Sequence, residues 1–363
     1  MNNEPYEDDD DYELAHESIR LSRTHVKMMN GVTYATLEKD YHSRALIDIE
    51  KLVKHISSTN GCAFQRGKSS ANQNKWFEGE FSVYYPTLNS LLDSYDENYF
   101  YNSYINLFHS KSIEILGQDE EFPTDPFYQP QGGGLTGADL FNQLIEEIRT
   151  TSNNKAFKEK LQSQRYNLNR NERSAIEYVN ALFLRYSRLL TIRIDFHLQG
   201  CTKDPIAKLT EIKAYFERFL NNRRSNSAFN SVVGHIWKLE HGEIAGPHYH
   251  VIFFLDGSKA HKDGFLGMKM GEYWLRITNS RGRFFNGNAN KEFYKTRNLL
   301  GIGMISHHDV TMRRNLERIV KYFFKPEQYL SAKYLKKMRT FGRGMPPQKR
   351  TSSGRPRLEP TAE

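Results

Sequence analysis

His248 and His250 stand two residues apart in GPHYHVIFFL, at the mouth of the apolar run from Val251 to Leu255. Side chains alternate along a strand, so both imidazoles face one side and Tyr249 faces the other. Two imidazoles on one face, roughly 7 Å apart by strand rise, can hold one divalent cation. A carboxylate partner would favour magnesium or manganese over zinc. Glu240 lies eight residues before His248. In an antiparallel hairpin of suitable register, a tight turn between them places that carboxylate beside the pair. His241 and Glu243 are rival ligands at or beyond the strand end. The bare spacing is weak evidence, because such a pair more often decorates a solvated sheet face. The apolar run behind it, and Gly246 and Pro247 ahead of it, shift the balance toward a metal. No cysteine or third well-spaced histidine supports a zinc site.

A second set of groups lies near the C-terminus. In KYFFK, Tyr322 and Lys325 are three apart and share one side of a helix. Leu316, Ile319, Val320 and Phe323 make the apolar stripe of that helix, which leaves Tyr322 at its margin. A tyrosine hydroxyl, with a reference pKa of about 10, is a poor nucleophile at neutral pH. A nearby cation stabilises the phenolate, and a metal neutralises charge on a phosphodiester transition state. A lone helical tyrosine is more often packing than chemistry. Tyr334 and Lys337 repeat the same spacing, so spacing alone does not choose between them.

These groups need elements to hold them. SRLLTIRIDFHL is β-branched and aromatic with partial alternation and reads as a strand. Asp204 to Arg224 reads as an amphipathic helix, with Asp204 and Pro205 in cap and first-turn positions. Ser231 to Gly242 and the stretch from His248 onward read as the two strands of the hairpin. A helical stretch around MGEYWLRIT follows, and LGIGMISHHDV is a further strand. Met312 to Phe324 is the last helix, stopped by Pro326. This order implies an antiparallel α+β domain. The preceding half is mostly helical. Ser43 to Ile56 spaces six apolar residues on one face, and Leu140, Leu144, Ile145 and Ile148 do the same behind a cap at Thr136 or Asp139. The expected organisation is an acidic disordered arm (1–37), a helical accessory region (38–175), a catalytic domain (176–344) and a basic disordered tail (345–363).

The chain of 363 residues has a formal net charge of +8, compatible with a phosphate-bearing partner. The charge is uneven. Residues 4–13 hold seven acids, whereas Lys333 to Arg357 hold nine basic residues and no acid. Lys333, Lys336, Lys337, Arg339 and Arg343 are candidate contacts for such a phosphate-bearing partner, with Arg223 and Arg224 as weaker ones. Two isolated cysteines, Cys62 and Cys201, give no disulfide framework and point to a reducing compartment. The acidic N-terminus has no leader-like apolar core, and no run approaches the ~20 residues of a membrane span. The expected location is the cytoplasm.

His-Tyr-His on a strand followed by Tyr-x-x-Lys on a helix resembles the HUH endonucleases, which include rolling-circle initiators, relaxases and certain transposases. The ordered segments LLTIRIDFHL, RRSNSAF, VGHIWKLEHGEIAGPHYHVIFF, GEYWLRIT, GIGMISHHD, YFFKPEQYL and RTFGRG narrow the resemblance to the inovirus-type, prophage-encoded replication initiators. It covers about Tyr178 to Gly344. It implies an HUH-type antiparallel sheet with flanking helices. It also implies an enzyme that uses Mg2+ or Mn2+ to nick and rejoin single-stranded or supercoiled origin DNA. His248, His250 and Glu240 match the metal ligands, Tyr322 the nucleophile and Lys325 the group that positions the phosphate. Tyr322 would form a 5′-phosphotyrosine and release a 3′-hydroxyl that primes replication, with host helicase and polymerase as further partners. Two features depart from the pattern. The middle residue of the motif is usually apolar and here is Tyr249. Pro326 follows Lys325, so no tandem tyrosine is present, although Tyr329 or Tyr334 could serve a second transfer. The alternatives are a DNA-binding regulator on an inactive scaffold, a relaxase- or transposase-type enzyme, and a single-strand binding module whose Phe253, Phe254 and Trp237 would have to be exposed.

Overall fold

A computed structural model of the chain describes residues 25–29, 32–36, 41–68, 74–118, 120–199, 204–242, 246–296, 298–324, 330–335 and 338–348. Of the expected acidic arm, residues 1–24 lie outside the described residues, as do residues 349–363 of the expected basic tail. Part of the expected arm is a strand pair: β1 (His25–Met29) pairs antiparallel with β2 (Val32–Thr36). Val26, Val32, Thr33 and Thr36 favour the extended backbone there. Of the described residues, 41–168 and 330–333 fall in one compact unit, and 25–36, 169–324 and the described residues from 334 to 348 in the other.

The first unit is built on α1 (Tyr41–Ser58), α3 (Ser103–Leu116), α4 (Gly137–Asn153) and the first half of α5 (Lys155–Arg185), with the short α2 (Leu88–Leu92). The periodic apolar residues become its core: Leu46, Ile49, Leu52, Val53 and Ile56 of α1, and Phe141, Leu144, Ile145 and Ile148 of α4, are all buried. Thr136 caps α4 in a reciprocal capping box with Asp139. The unit also carries two small antiparallel pairs. One is β3 (Phe64–Lys68) with β4 (Asn74–Glu78), and the other is β5 (Tyr99–Tyr101) with β11 (Leu330–Ala332).

The second unit is an antiparallel sheet with helices on both faces. In chain order its elements are β6 (Arg188–Leu198), α6 (Pro205–Asn222), β7 (Val232–Gly242), β8 (Gly246–Asp256), α7 (Asp263–Ile277), β9 (Gly282–Asn286), α8 (Lys291–Lys295), β10 (Gly303–Ser306), α9 (Val310–Tyr322) and β12 (Phe341–Arg343). The sheet order is β10-β6-β8-β7-β12, and β9 pairs with the far end of β6. Every pairing is antiparallel. Asp204 caps α6 through the N–H of Ile206, with Pro205 in the first turn.

Alternation along β6, β8 and β7 divides their side chains between two cores. On one face Phe196 and Tyr249 pack under α6 and α7. Tyr249 stacks on Phe216 at 3.8 Å between ring centres, and Phe196 meets Trp274 at 5.0 Å. On the other face Ile236, Ile252 and Phe254 pack against Tyr178, Val179 and Leu182 of α5 and Leu316, Ile319, Val320 and Phe323 of the C-terminal helix. That second face carries both histidines. Phe253 and Phe254 are both fully buried, on opposite faces. A binding module that stacks bases on them is therefore excluded.

Candidate metal centre

The register of β7 and β6 against β8 decides what surrounds the two histidines. Directly paired residues on neighbouring strands share a face. One row across the sheet reads Arg283 (β9), His197 (β6), His248 (β8), Glu240 (β7). The next reads Phe285, Asp195, His250, Lys238, Phe341. Glu240 is thus the direct cross-strand partner of His248. His241 pairs with Pro247 and belongs to the opposite face, and Glu243 lies outside the described residues.

The ligand atoms converge. Nε2 of His248 and Nε2 of His250 are 3.2 Å apart, and Oε2 of Glu240 is 3.3 Å from the latter. The candidate ligand atoms of all three residues lie within 4.8 Å of one another. Their other ring nitrogens are committed elsewhere. Nδ1 of His248 donates to the carbonyl of Gly246 at 2.9 Å, and Nδ1 of His250 donates to Asp195 at 2.8 Å. Gly246 has φ +66°, a conformation that favours glycine, and this turn aims its carbonyl back at the ring. Each imidazole is therefore fixed with Nε2 facing the centre, as in protein metal sites.

Burial disfavours charge on His250, yet Asp195 and Glu240 outweigh it and raise its pKa to about 9. Burial, with the neighbouring His250, pushes His248 down to about 4. Burial also acts against ionised Asp195 and Glu240, but Arg193 and His250 hold Asp195 well below its ordinary value, and His250 lowers Glu240. Without a metal, one proton on His250 sits among two anions and a neutral imidazole, where a cation would sit. The donor set of two imidazole nitrogens and a carboxylate fits a divalent cation that retains open positions.

Several members of this cluster were not anticipated. Asp195 forks onto Arg193, with contacts of 3.3 and 3.4 Å. His197 stacks on His248 at 4.9 Å, and burial holds its pKa well below the usual histidine value. Lys238, fully buried, lies 3.4 Å from the Thr340 hydroxyl and 5.5 Å from the Phe324 ring. A signal was present in RIDFH, where Arg193, Asp195 and His197 alternate with apolar residues in a strand whose other polar residues are only Arg188 and Thr191. Polar groups at that period on a buried strand mark one chemically active face.

Tyr322 is the last residue of α9, at the margin of its buried stripe. The Arg193 guanidinium stands 6.0 Å from its ring and 5.6 Å from that of Phe323, and Phe323 lies 5.5 Å from the His250 ring. The turn bearing Tyr322 is thus seated on the groups that hold the histidines. Lys325 and Tyr329 lie outside the described residues, as do Lys336 and Lys337. Of the other basic candidates, Arg339 stacks over Trp237 on the face away from the histidines. Arg343 bonds Ser174 and covers Tyr178, and Arg223 donates to the Leu220 carbonyl. Lys333 belongs to the first unit, over Phe100.

The profile of the family described as the YagK/YfjJ C-terminal domain matches residues 147–344. The chain belongs to that family. The matched span contains β6 through β12 and every member of the cluster. No curated protein and no solved structure matches the chain. Among the described residues no helix is long and apolar enough to cross a membrane.

Proposed function

We propose that this member of the YagK/YfjJ C-terminal domain family is a metal-dependent single-strand DNA nickase and ligase that initiates rolling-circle replication, with Tyr322 as nucleophile. The observation that carries this reading is the convergence of His248, His250 and Glu240 beside Phe323, one residue from Tyr322. The cation is Mg2+ or Mn2+, held by those three groups. When bound, it polarises a phosphodiester and neutralises charge on the transition state.

The chain's own residues do the rest. Asp195 and the Gly246 carbonyl hold the two rings in the tautomers that aim Nε2 at the centre. Arg193 holds Asp195 and lies against the Tyr322 turn. The Tyr322 oxygen attacks phosphorus, forming a phosphotyrosyl bond as the bond to the 3′ oxygen breaks. The phenolic proton passes to solvent, and the departing 3′ oxygen takes up a proton to become a free hydroxyl. Attack by a 3′-hydroxyl on the phosphotyrosine reverses the steps and joins the strand. Lys325, by its place three residues after Tyr322, serves the phosphate or the phenolate. Lys333, Lys336, Lys337, Arg339, Arg343, Arg223 and Arg224 supply backbone contacts for origin DNA outside the centre. The complete, buried ligand set with its orienting carboxylate favours an active enzyme over a DNA-binding regulator on an inactive scaffold.

The test is covalent capture. Purified protein is incubated with a pool of random-sequence single-stranded oligonucleotides and Mn2+ or Mg2+, and adducts are resolved under denaturing conditions and sequenced. The wild type should yield a metal-dependent adduct at one sequence class, linked through Tyr322. Tyr322→Phe should bind DNA without forming it. An adduct that persists in Tyr322→Phe would remove the nucleophile assignment, and no adduct with any divalent metal would remove the reading.

A further inference from the structure

The helix that ends on Tyr322 carries a basic ridge. α9 reads VTMRRNLERIVKY, and its Asn315, Leu316, Ile319 and Val320 turn to the core. Side chains four apart on a helix lie one above the other. Arg314, Arg318 and Tyr322 have that spacing. They form one row outside the buried stripe, with about 6 Å of helix axis between successive members. Arg314 is exposed, and Arg318 and Tyr322 are half-buried. The row runs toward the metal centre. At its C-terminal end Phe323 packs on the His250 ring, and Arg193 stands 6.0 Å from the Tyr322 ring.

The fold itself makes no use of these two guanidiniums. The neighbouring Arg313 is used: it donates to Asn180 at 2.9 Å and to the His307 carbonyl at 3.2 Å, and lies 4.9 Å from the Phe183 ring. Glu317, the one acid of α9, pairs with Lys321 at 3.2 Å. Arg314 and Arg318 make no hydrogen bond or ion pair among the described residues. For the helix they are unfavourable, because like charges four apart repel. Arg339, Arg343 and Arg223, by contrast, are engaged with Trp237, Ser174 and the Leu220 carbonyl. The cations left for a ligand beside Tyr322 are therefore those of the ridge. A guanidinium takes a pair of phosphate oxygens, and one helical turn matches the step between neighbouring phosphates of an extended strand.

We infer that the Arg314–Arg318 ridge of α9 binds the backbone of single-stranded DNA beside the phosphate presented to Tyr322, one phosphate to each guanidinium. This rests on the nickase reading for its substrate, but its test does not require cleavage. Binding of a fluorescent mixed-sequence single-stranded oligonucleotide to the full chain is measured by anisotropy over a range of salt concentrations. Arg314→Gln and Arg318→Gln should each bind more weakly than wild type. Each should make the slope of log affinity against log salt shallower by about 0.7, the value for one lost phosphate contact on a single strand. The double variant should lose about twice that. Arg314→Lys and Arg318→Lys should keep the slope. Lys269→Gln removes one charge from α7, on the opposite face of the sheet, and should also keep it. All of these variants should retain wild-type Mn2+ affinity and melting temperature. If both glutamine variants keep the wild-type slope, or Lys269→Gln loses as much as they do, the ridge is not the contact. Slope loss at the ridge in a protein that never forms an adduct would keep the ridge and refute the nickase. A Tyr322 adduct in a protein whose slope neither variant moves would keep the nickase and refute the ridge. A wild type that binds no single-stranded DNA would refute both.

Discussion

The Nε2 atoms of His248 and His250 face each other at 3.2 Å while both Nδ1 atoms donate away from the centre. Two neutral rings in that arrangement would oppose lone pair to lone pair. The opposition is relieved by a proton on His250 or by a cation shared between the rings, and the two compete.

That competition sets a pH dependence. His250 is raised to about 9 by Asp195 and Glu240, so below that value a cation must displace its proton. Mn2+ affinity should therefore rise with pH, by about tenfold per unit, and flatten above about 9. His248, near 4, is already neutral and adds no slope. Calorimetric titration with Mn2+ at stepped pH measures both the affinity and the proton released. Glu240→Gln should lower the affinity and bring the flattening to a lower pH, because one of the two anions holding the proton is gone. A wild-type affinity independent of pH would exclude His250 as a ligand.

Asp195 has two tasks that different substitutions separate. Asp195→Asn leaves an amide oxygen that can still accept from Nδ1 but removes the charge, and Mn2+ affinity should fall about 10–100-fold. Asp195→Ala leaves the buried Arg193 guanidinium without its carboxylate, which should cost about 3–5 kcal/mol of stability as well. Urea unfolding, run beside the Mn2+ titration, distinguishes the two. Equal loss of stability in both variants would mean that the ion pair, not the hydrogen bond to His250, is what Asp195 contributes.

The parts of the site that were legible in the sequence are those that local geometry decides. A strand period puts His248 and His250 on one face, and a hairpin of that length brings Glu240 alongside. The stripe from Leu316 to Phe323 leaves Tyr322 at the edge of its helix, and Thr136 ahead of an amphipathic run caps it. Arg193, Asp195 and His197 are about fifty residues from the histidines they support, and only the pairing of β6 with β8 sets their register. No local rule gives that pairing.

Tyr322 and Phe323 are adjacent but should fail in opposite ways. Phe323 is buried in the core and packs on the His250 ring. Phe323→Ala should cost about 3–5 kcal/mol and weaken Mn2+ binding, because the ring that backs His250 is lost. Tyr322→Phe keeps the ring beside Arg193 and removes one oxygen. Its melting temperature and Mn2+ affinity should stay near wild type while the DNA adduct disappears. Matched losses of Mn2+ affinity in both variants would assign Tyr322 to the support of the centre rather than to attack on DNA.

Thr136 offers a test confined to the helical first unit. Its Oγ1 accepts from the Asp139 N–H at 3.2 Å, and the Asp139 carboxylate accepts from the Thr136 N–H at 3.2 Å. Asp139 also holds Arg66 of the β3–β4 hairpin at 2.7 Å. Thr136→Ala removes one half of the box and should cost about 1 kcal/mol. Asp139→Ala removes the other half and the tie to the hairpin, so it should cost more. Neither residue lies in the unit that carries His248 and His250, so both variants should keep wild-type Mn2+ affinity while the thermal transition of the first unit moves down. A loss of Mn2+ affinity in Thr136→Ala would show instead that the helical unit supports the metal centre.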